Sequence, residues 1–200
     1  MEGSVRPPRG RPRPQWLQLH LPQWLICAVE ESSLSLDAKL QGECEEFIDG
    51  FESLLLSTLN PDGSPDLSYT PFVDHDKRFY ILTSHLSAHT GNLIKDPRAA
   101  VLFIESEEAA EQIYARKRLR FQCEAERFSR QSPIWEQLIP VFSSRFGELI
   151  DVLSSLPDFE LFSLKPLGGQ WVKGFGKAFD FRGRIESDAT HLNPKKEKNQ

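Results

Sequence analysis

The stretch from Phe51 to Phe103 constrains the fold most strongly, because turn sequences divide it into apolar runs of strand length. Asn60–Gly63 is one such turn, in which proline presets φ and glycine permits a positive φ. Asp74–Lys77 is a second polar turn between β-rich runs. Turns this short connect antiparallel strands. We therefore predict an antiparallel meander, then a crossover that contains a short helix, then a further strand.

Hydrophobic periodicity along the chain predicts six or seven short strands with helices between them. The predicted strands are Leu54–Leu59, Leu67–Val73, Arg78–Thr83, Ala99–Glu105, Leu119–Phe128, Asp158–Leu164 and Gln170–Phe181. The predicted helices are Ser35–Gly50, Ser87–Lys95, a segment from Ser106 to Arg118, and a long helix from Pro133 to Leu153. This pattern predicts a mainly β fold of the α+β class, with a closed or nearly closed antiparallel barrel and flanking helices.

Bulk composition excludes several classes of protein. The net charge of −5 gives no electrostatic case for binding nucleic acid. The three cysteines, Cys27, Cys44 and Cys123, form no CxxC pair, and so sparse a set fits a reducing cytoplasm. The apolar run Trp24–Val29 is too short to span a bilayer. We therefore predict a cytoplasmic protein that does not insert into membranes.

The N-terminal segment differs in composition from the rest of the chain. Its first 29 residues contain four Arg and five Pro but a single Glu, which is typical of a disordered arm. Met1 is the only methionine, so a start codon assigned too far upstream stays open. We predict a basic arm at residues 1–34, a barrel domain at 35–182 and a C-terminal tail at 183–200.

Five motifs occur in a fixed order along the chain. They are Leu67–Val73, Ser84–Leu93, Ala115–Leu119, Arg145–Glu148 and Lys173–Gly176. Together they resemble the HugZ/HutZ group of haem-utilisation proteins, within the pyridoxamine 5′-phosphate oxidase-like, FMN-binding split-barrel superfamily. The resemblance covers about Leu40 to Leu192 and implies a split β-barrel that forms a homodimer. It also implies a cofactor cleft at the dimer interface, which holds haem in this group and FMN in the wider superfamily.

The resemblance implies that His191 is the axial ligand of the haem iron, because the group uses a histidine in its C-terminal segment. From the residues alone, a solvated tail histidine is the favoured interpretation of His191, and the resemblance shifts this toward the ligand. Asp151 would then accept a hydrogen bond from the axial histidine of the other subunit and fix its tautomer. An exposed helix acid is the alternative for Asp151, and Glu148, one turn away, is its nearest competitor.

Several cations are candidates for contacts with the cofactor. Arg116 and Arg118 could pair with haem propionates or a flavin phosphate, and one of them could stabilise bound dioxygen; the sequence does not choose between them. The alternative is that these positive charges only stabilise the C-terminus of the predicted helix and face solvent at the start of the next strand. Lys173 opens a Gly-Phe-Gly segment that no helix clearly follows, so we interpret it as a close-packed strand at the cofactor cleft rather than a phosphate loop.

His85 and His89 lie four residues apart, which is metal-ligand spacing on a helix, but no third ligand lies near in sequence. FMN-binding relatives use a segment like Thr83–His89, which includes Ser84, to hold the flavin phosphate. They usually carry Arg-Lys where this chain carries Ala88 and His89. Because the loss of both cations weakens phosphate binding, this departure argues against FMN and favours haem.

Three functions follow from the resemblance. The first is an oxygen-dependent, haem-degrading enzyme that forms biliverdin, releases iron and takes electrons from an external donor. The second is an FMN-dependent oxidoreductase of the same fold. The third is a haem-binding or delivery protein without catalysis, which would need the cleft and His191 but none of the polar groups for oxygen chemistry.

Overall fold

The computed structural model describes residues 38–185 and 187–192, which form a sheet of nine strands with helices beside it. The strands are β1 Ser53–Leu59, β2 Pro65–Pro71, β3 Val73–His75, β4 Arg78–Ser84, β5 Arg98–Ile104, β6 Arg118–Phe128, β7 Phe159–Gly174, β8 Lys177–Arg182 and β9 Ser187–His191. The helices are α1 at residues 38–49, α2 Ala88–Lys95, α3 Pro133–Phe146 and α4 Leu149–Ser155.

The strands are hydrogen-bonded in the order β2-β1-β5-β6-β7-β4-β3, and every pairing is antiparallel. β7 is 16 residues long. Its first part pairs with β4 and its second part with β8, while β6 runs along both. Within the described residues, β2 and β3 at the two ends of the order do not pair. The sheet is therefore a split rather than a closed barrel. This confirms the mainly β, α+β class and the split barrel that the resemblance implies.

Two apolar clusters stabilise the fold. Inside the barrel, Phe79 packs against Phe103 and Phe121, with ring centroids 5.3 Å apart in both pairs. The second cluster lies between the sheet and α3–α4, and it includes Leu138 and Leu161, both fully buried. Burying a large apolar side chain stabilises a fold by about 1.5–3 kcal/mol. The second cluster therefore fixes α3 and α4 against β4 and β7.

The predicted helix from Ser106 to Arg118 is wrong. The segment forms turns and one 3₁₀ turn, Ile113–Ala115. Its two ends are tied together, because Arg116 Nε donates to the carbonyl of Glu105 at 3.0 Å. The Glu105 carboxylate in turn accepts from the backbone N–H of Lys117 at 2.6 Å. Such bonds from side chains to backbone compete with helical hydrogen bonds and here close a loop.

The predicted long helix and the last two predicted strands also need correction. Gly147 adopts φ 82°, and its N–H donates to the carbonyl of Ser143 at 2.8 Å, so the helix ends and α4 starts separately. The predicted strands 158–164 and 170–181 are one long strand, β7, and a hairpin that continues into β8. A bulge at Leu167 of β7 lies next to Pro166, opposite the step from Gln122 to Cys123 in β6, and the pairing continues on both sides of it.

β9, which pairs with β8, has no counterpart among the predicted strands. The predicted arm, residues 1–34, lies outside the described residues, as do 193–200 of the predicted tail. No helix within residues 38–185 and 187–192 is both long and apolar enough to cross a lipid bilayer.

Candidate functional site

A cavity of about 520 Å³ lies between β2, β4 and the helices α3 and α4; we call it the β4–α4 cavity. Most of its wall is apolar. Its apolar lining residues are Tyr69, Pro71, Leu82, Phe142, Phe146, Leu149, Ile150, Leu153 and Phe159. Its polar lining residues are Thr70, Thr83, Ser84, Ser87 and His89. Among the described residues, this lining includes no lysine, arginine, aspartate or glutamate.

His89, on the first turn of α2, is the only histidine in this lining within the described chain. Its side chain is 7% exposed, and both ring nitrogens are hydrogen-bonded inside the protein. Nδ1 lies 2.9 Å from Ser68 Oγ, and Nε2 lies 2.6 Å from Thr83 Oγ1. Burial lowers the pKa of His89, so the ring is neutral near pH 7. His89 therefore offers no positive charge to a phosphate and no unoccupied nitrogen to a metal.

The depressed pKa of His89 predicts a loss of stability in acid. Because its pKa is lower in the folded than in the unfolded chain, the unfolded state binds more protons below about pH 6.5. Folding stability should therefore decrease as the pH falls from 7.5 to 5, and less so in His89→Gln. Urea unfolding at both pH values measures the difference. An equal decrease in both proteins would show that His89 does not titrate in this way.

Ser84 and His85 form the corner between β4 and α2. Ser84 Oγ donates to Asp158 Oδ2 at 2.5 Å. His85 Nε2 lies 2.9 Å from Glu160 Oε1, and Glu160 also accepts from Arg127 Nε at 3.0 Å. Burial opposes ionisation of Glu160, but the hydrogen bonds from Arg127 and His85 outweigh it and hold the pKa of Glu160 below its usual range. His85 therefore faces an ion pair outside the β4–α4 cavity.

His85 and His89, the two histidines at metal-ligand spacing, do not face a common site. His85 contacts Glu160, whereas His89 contacts Ser68 and Thr83. Within residues 38–185 and 187–192, no group of three or more His, Cys, Asp or Glu side chains could hold a metal ion.

The predicted cations and His191 lie away from the β4–α4 cavity, on or beside β6, β7 and β9. Strand register places Leu119, Trp171, Phe179 and His191 in one row across β6, β7, β8 and β9. The His191 ring packs edge-to-face on Phe179, with centroids 5.0 Å apart, and its Nε2 lies 3.1 Å from the carbonyl of Gly176. The row brings His191 to the end of the sheet where β7 and β8 join.

The three predicted cations are next to this row and are already bonded. Arg118 pairs in register with Val172, and its Nη1 donates to the carbonyl of Arg116 at 3.1 Å. Arg116 holds the Glu105 carbonyl and lies 3.4 Å from Glu107 Oε1. Lys173 forms an ion pair with Glu43 of α1. These bonds are partly exposed, so an anionic ligand could compete for the same cations.

Asp151 lies on α4 directly after Ile150, which lines the β4–α4 cavity. Its side chain is exposed and accepts a hydrogen bond from Ser143 Oγ at 2.9 Å. The structure thus brings Ser84, His89 and the helix of Asp151 to one cavity. In the described part of the chain, none of Arg116, Arg118, Lys173 or His191 lines that cavity.

Sequence reasoning missed the partners of His89 and the aromatic wall. Ser68 and Thr70 alternate along β2, and a period of two places both on one face of that strand. Phe142 and Phe146 are spaced by four along α3, which places both on one face of the helix. These spacings show which residues share a face, but they do not show that the two faces enclose one cavity.

Comparisons with known proteins agree with the fold. Residues 40–173 match the family described as pyridoxamine 5′-phosphate oxidase. Heme oxygenase HutZ of Vibrio cholerae is 41% identical over 157 residues, which cover 78% of this chain and 89% of HutZ. The crystal structure of HutZ, there called the heme storage protein, superposes with a TM-score of 0.60 at 42% identity, covering 62% of this chain and 88% of HutZ.

ChuZ of Campylobacter jejuni superposes with a TM-score of 0.69 at 32% identity. This alignment covers 78% of the chain and 63% of ChuZ, so ChuZ is the longer protein. The matched family extends from α1 to the end of β7 and includes the β4–α4 cavity. The chain therefore belongs to the pyridoxamine 5′-phosphate oxidase-like split-barrel family and, within it, to the HutZ group that its five motifs resemble.

Proposed function

We propose that the chain binds haem at the interface of a homodimer and, with oxygen and an external electron donor, opens the ring to biliverdin and releases iron. The character of the β4–α4 cavity carries this proposal: it is mainly apolar, and among the described residues it holds no charged side chain. The name of HutZ, a heme oxygenase, supports the same reaction. A cytoplasmic location fits this proposal.

The cavity suits haem better than FMN. A flavin phosphate needs cations or several strong donors, because a buried phosphate without them loses its hydration. At the predicted phosphate segment the chain offers Ala88, neutral His89 and the hydroxyls of Ser84 and Ser87. A porphyrin instead needs flat apolar walls, and α3 and α4 supply these through Phe142, Phe146 and Leu153. The residues present therefore fit the haem ring.

A homodimer would complete the site. Tyr69 is 68% exposed and Leu149 is 61% exposed, although both line the cavity, and Val152 on the next turn of α4 is 56% exposed. Large exposed apolar side chains around a cavity are typical of an interaction surface. A second subunit that covers them could supply its own His191 and leave Asp151 near that ring. Such a dimer would account for the separation of the predicted residues within one chain.

Bound haem supplies the redox chemistry of its iron and the activation of oxygen. His191 would bind the iron through one ring nitrogen, and Asp151 of the other subunit would accept the hydrogen of the second nitrogen and fix the tautomer. Arg116, Arg118 and Lys173, which lie outside the β4–α4 cavity of their own chain, would pair with the propionates across the dimer interface, and one of the arginines would be the hydrogen-bond donor on the oxygen side of the haem. Once a second subunit covers it, the apolar wall from α3 and α4 would exclude water from the site.

Optical titration of the purified protein with haemin and, separately, with FMN tests the binding step. We expect a Soret band that saturates at one haem per subunit, with no saturable change in flavin fluorescence. Saturable FMN binding with only weak haem absorbance would contradict the proposal and favour the flavin-dependent oxidoreductase. Gel filtration of the haem complex should give the mass of a dimer.

Haem binding without turnover is the second candidate function. The description of HutZ as a heme storage protein favours it. The two functions need the same cavity and differ only after haem is bound. A haem complex that is stable to ascorbate under air would support storage or delivery.

A further inference from the structure

Arg184, in the connection between β8 and β9, is anchored to the barrel. Its guanidinium binds both carboxylate oxygens of Asp74 in β3, with Nη1 2.7 Å from Oδ1. The same group lies over the ring of Phe79, 4.7 Å from the ring centroid. Only 9% of the Arg184 side chain is exposed. Two parallel charge-assisted bonds and a stacked ring therefore hold this arginine in one orientation.

The residues beside Arg184 are attached to the barrel as well. The N–H of Gly183 donates to the carbonyl of Leu167 at 3.0 Å. Ile185 is 3% exposed and belongs to the apolar cluster inside the barrel, and its φ is 64°. A β-branched residue at positive φ is strained and keeps that conformation only where its surroundings over-determine it. Residues 183–185 are therefore held by tertiary contacts rather than by their own turn preference.

β9 starts directly after this connection and carries His191 at its end. It pairs with β8 so that Phe179 lies opposite His191, and the N–H of Leu192 donates to the carbonyl of Ala178 at 2.8 Å. β9 pairs with no other described strand. A strand with one neighbour depends on its attachment points to keep its register. The position of His191 should thus depend on the anchored connection.

We propose that Arg184 is a positioning residue: through Asp74 and Phe79 it fixes the start of β9 and so sets where His191 meets the haem iron. This proposal rests on the proposed function, in which His191 is the axial ligand. Arg184 acts through β9 and does not touch haem. Removing the guanidinium leaves Asp74 without its partner and frees the connection, and lysine restores the charge but not the two-point contact.

Hydrogen exchange of the segment 187–192 in the haem-free protein tests the first half of the proposal. We expect exchange about 10-fold faster in R184M than in R182M, a matched control that removes an exposed arginine two residues away. The second half is tested by haem dissociation, which should be about 10-fold faster in R184M, intermediate in R184K and unchanged in R182M. D74N removes the same ion pair with little change in size and should reproduce both effects if R184M does not fold.

Equal exchange in the Arg184 or Asp74 variants and in R182M would overturn the proposal, because a purely structural arginine lowers the melting temperature without loosening β9 selectively. H191A is measured in the same experiments to distinguish failure of the positioning role of Arg184 from failure of His191 as the iron ligand. If H191A weakens haem binding and R184M does not, the positioning role alone fails. If H191A leaves haem binding unchanged, His191 is not the iron ligand, and the proposed role of Arg184 in positioning it is wrong as well.

Discussion

His191→Ala should lower haem affinity by at least about 100-fold and shift the Soret band. Loss of a group that only hydrogen-bonds to a metal ligand already costs about 10- to 100-fold, so loss of the ligand itself should cost at least as much. The protein should remain folded, because His191 is exposed and lies at the end of β9, which pairs only with β8 among the described strands. Haemin titration followed by absorbance measures both effects.

The matched control for this substitution is His75→Ala. His75 is partly exposed in β3, its Nε2 lies 2.9 Å from Gln137, and it is not part of the β4–α4 cavity. Its replacement should leave the haem spectrum unchanged. Added imidazole should restore the Soret position of His191→Ala by occupying the vacated coordination site. Identical haem affinity and spectra for wild type and His191→Ala would remove His191 from the site.

Gly169→Ala should destabilise the protein by about 3 kcal/mol, the upper end of what overpacking costs. A Cβ atom at Gly169 would meet the backbone carbonyl of Arg120 in β6 and would lie 2.7 Å from Phe181 Cζ in β8. Neither neighbour can easily move, because Arg120 is paired within the sheet and Phe181 is 6% exposed. Urea unfolding measures the free energy change.

Gly91→Ala is the control for this second substitution. An added Cβ at Gly91 meets nothing within 4 Å, and the residue lies inside α2, where alanine is favoured over glycine by about 0.5–1 kcal/mol. Its stability should therefore rise slightly. If Gly169→Ala were as stable as Gly91→Ala, β6, β7 and β8 would not approach as closely as described.

Local sequence signals predicted those parts of the fold that depend on neighbours along the chain. The turn at Asn60–Gly63 closes the β1–β2 hairpin as predicted, with the N–H of Gly63 donating to the carbonyl of Asn60 at 2.8 Å. Ser132 accepts from the N–H of Trp135 at 3.3 Å and caps α3, whose first residue is the predicted Pro133. Both features are specified within four residues.

The features that the sequence did not predict depend on distant contacts. The loop that replaced the predicted helix after Ser106 is closed by Arg116 on the carbonyl of Glu105, eleven residues away. Arg184, in the connection that leads to β9, is bonded to Asp74, 110 residues away. No periodicity in a short window reports such pairs. The motifs predicted the family correctly because they are short segments of fixed order.

The candidate site divides in the same way. The motifs and the histidine spacing selected Ser84 and His89 as candidates, and both line the β4–α4 cavity. Ser68 and Thr83 occupy both ring nitrogens of His89. The sequence could not predict these contacts, because the two residues lie on two different strands. The roles of His191, Asp151 and the arginines remain predictions.

Aerobic turnover of the haem complex is the measurement that tests the central claim most directly. Ascorbate is added to the purified complex under air, absorbance is followed through the Soret and red regions, and released iron is captured with ferrozine. The proposed function predicts loss of the Soret band, appearance of biliverdin and one iron released per haem, all slowed in His191→Ala. A Soret band that persists in the wild-type complex, with no biliverdin and no released iron, would contradict haem degradation.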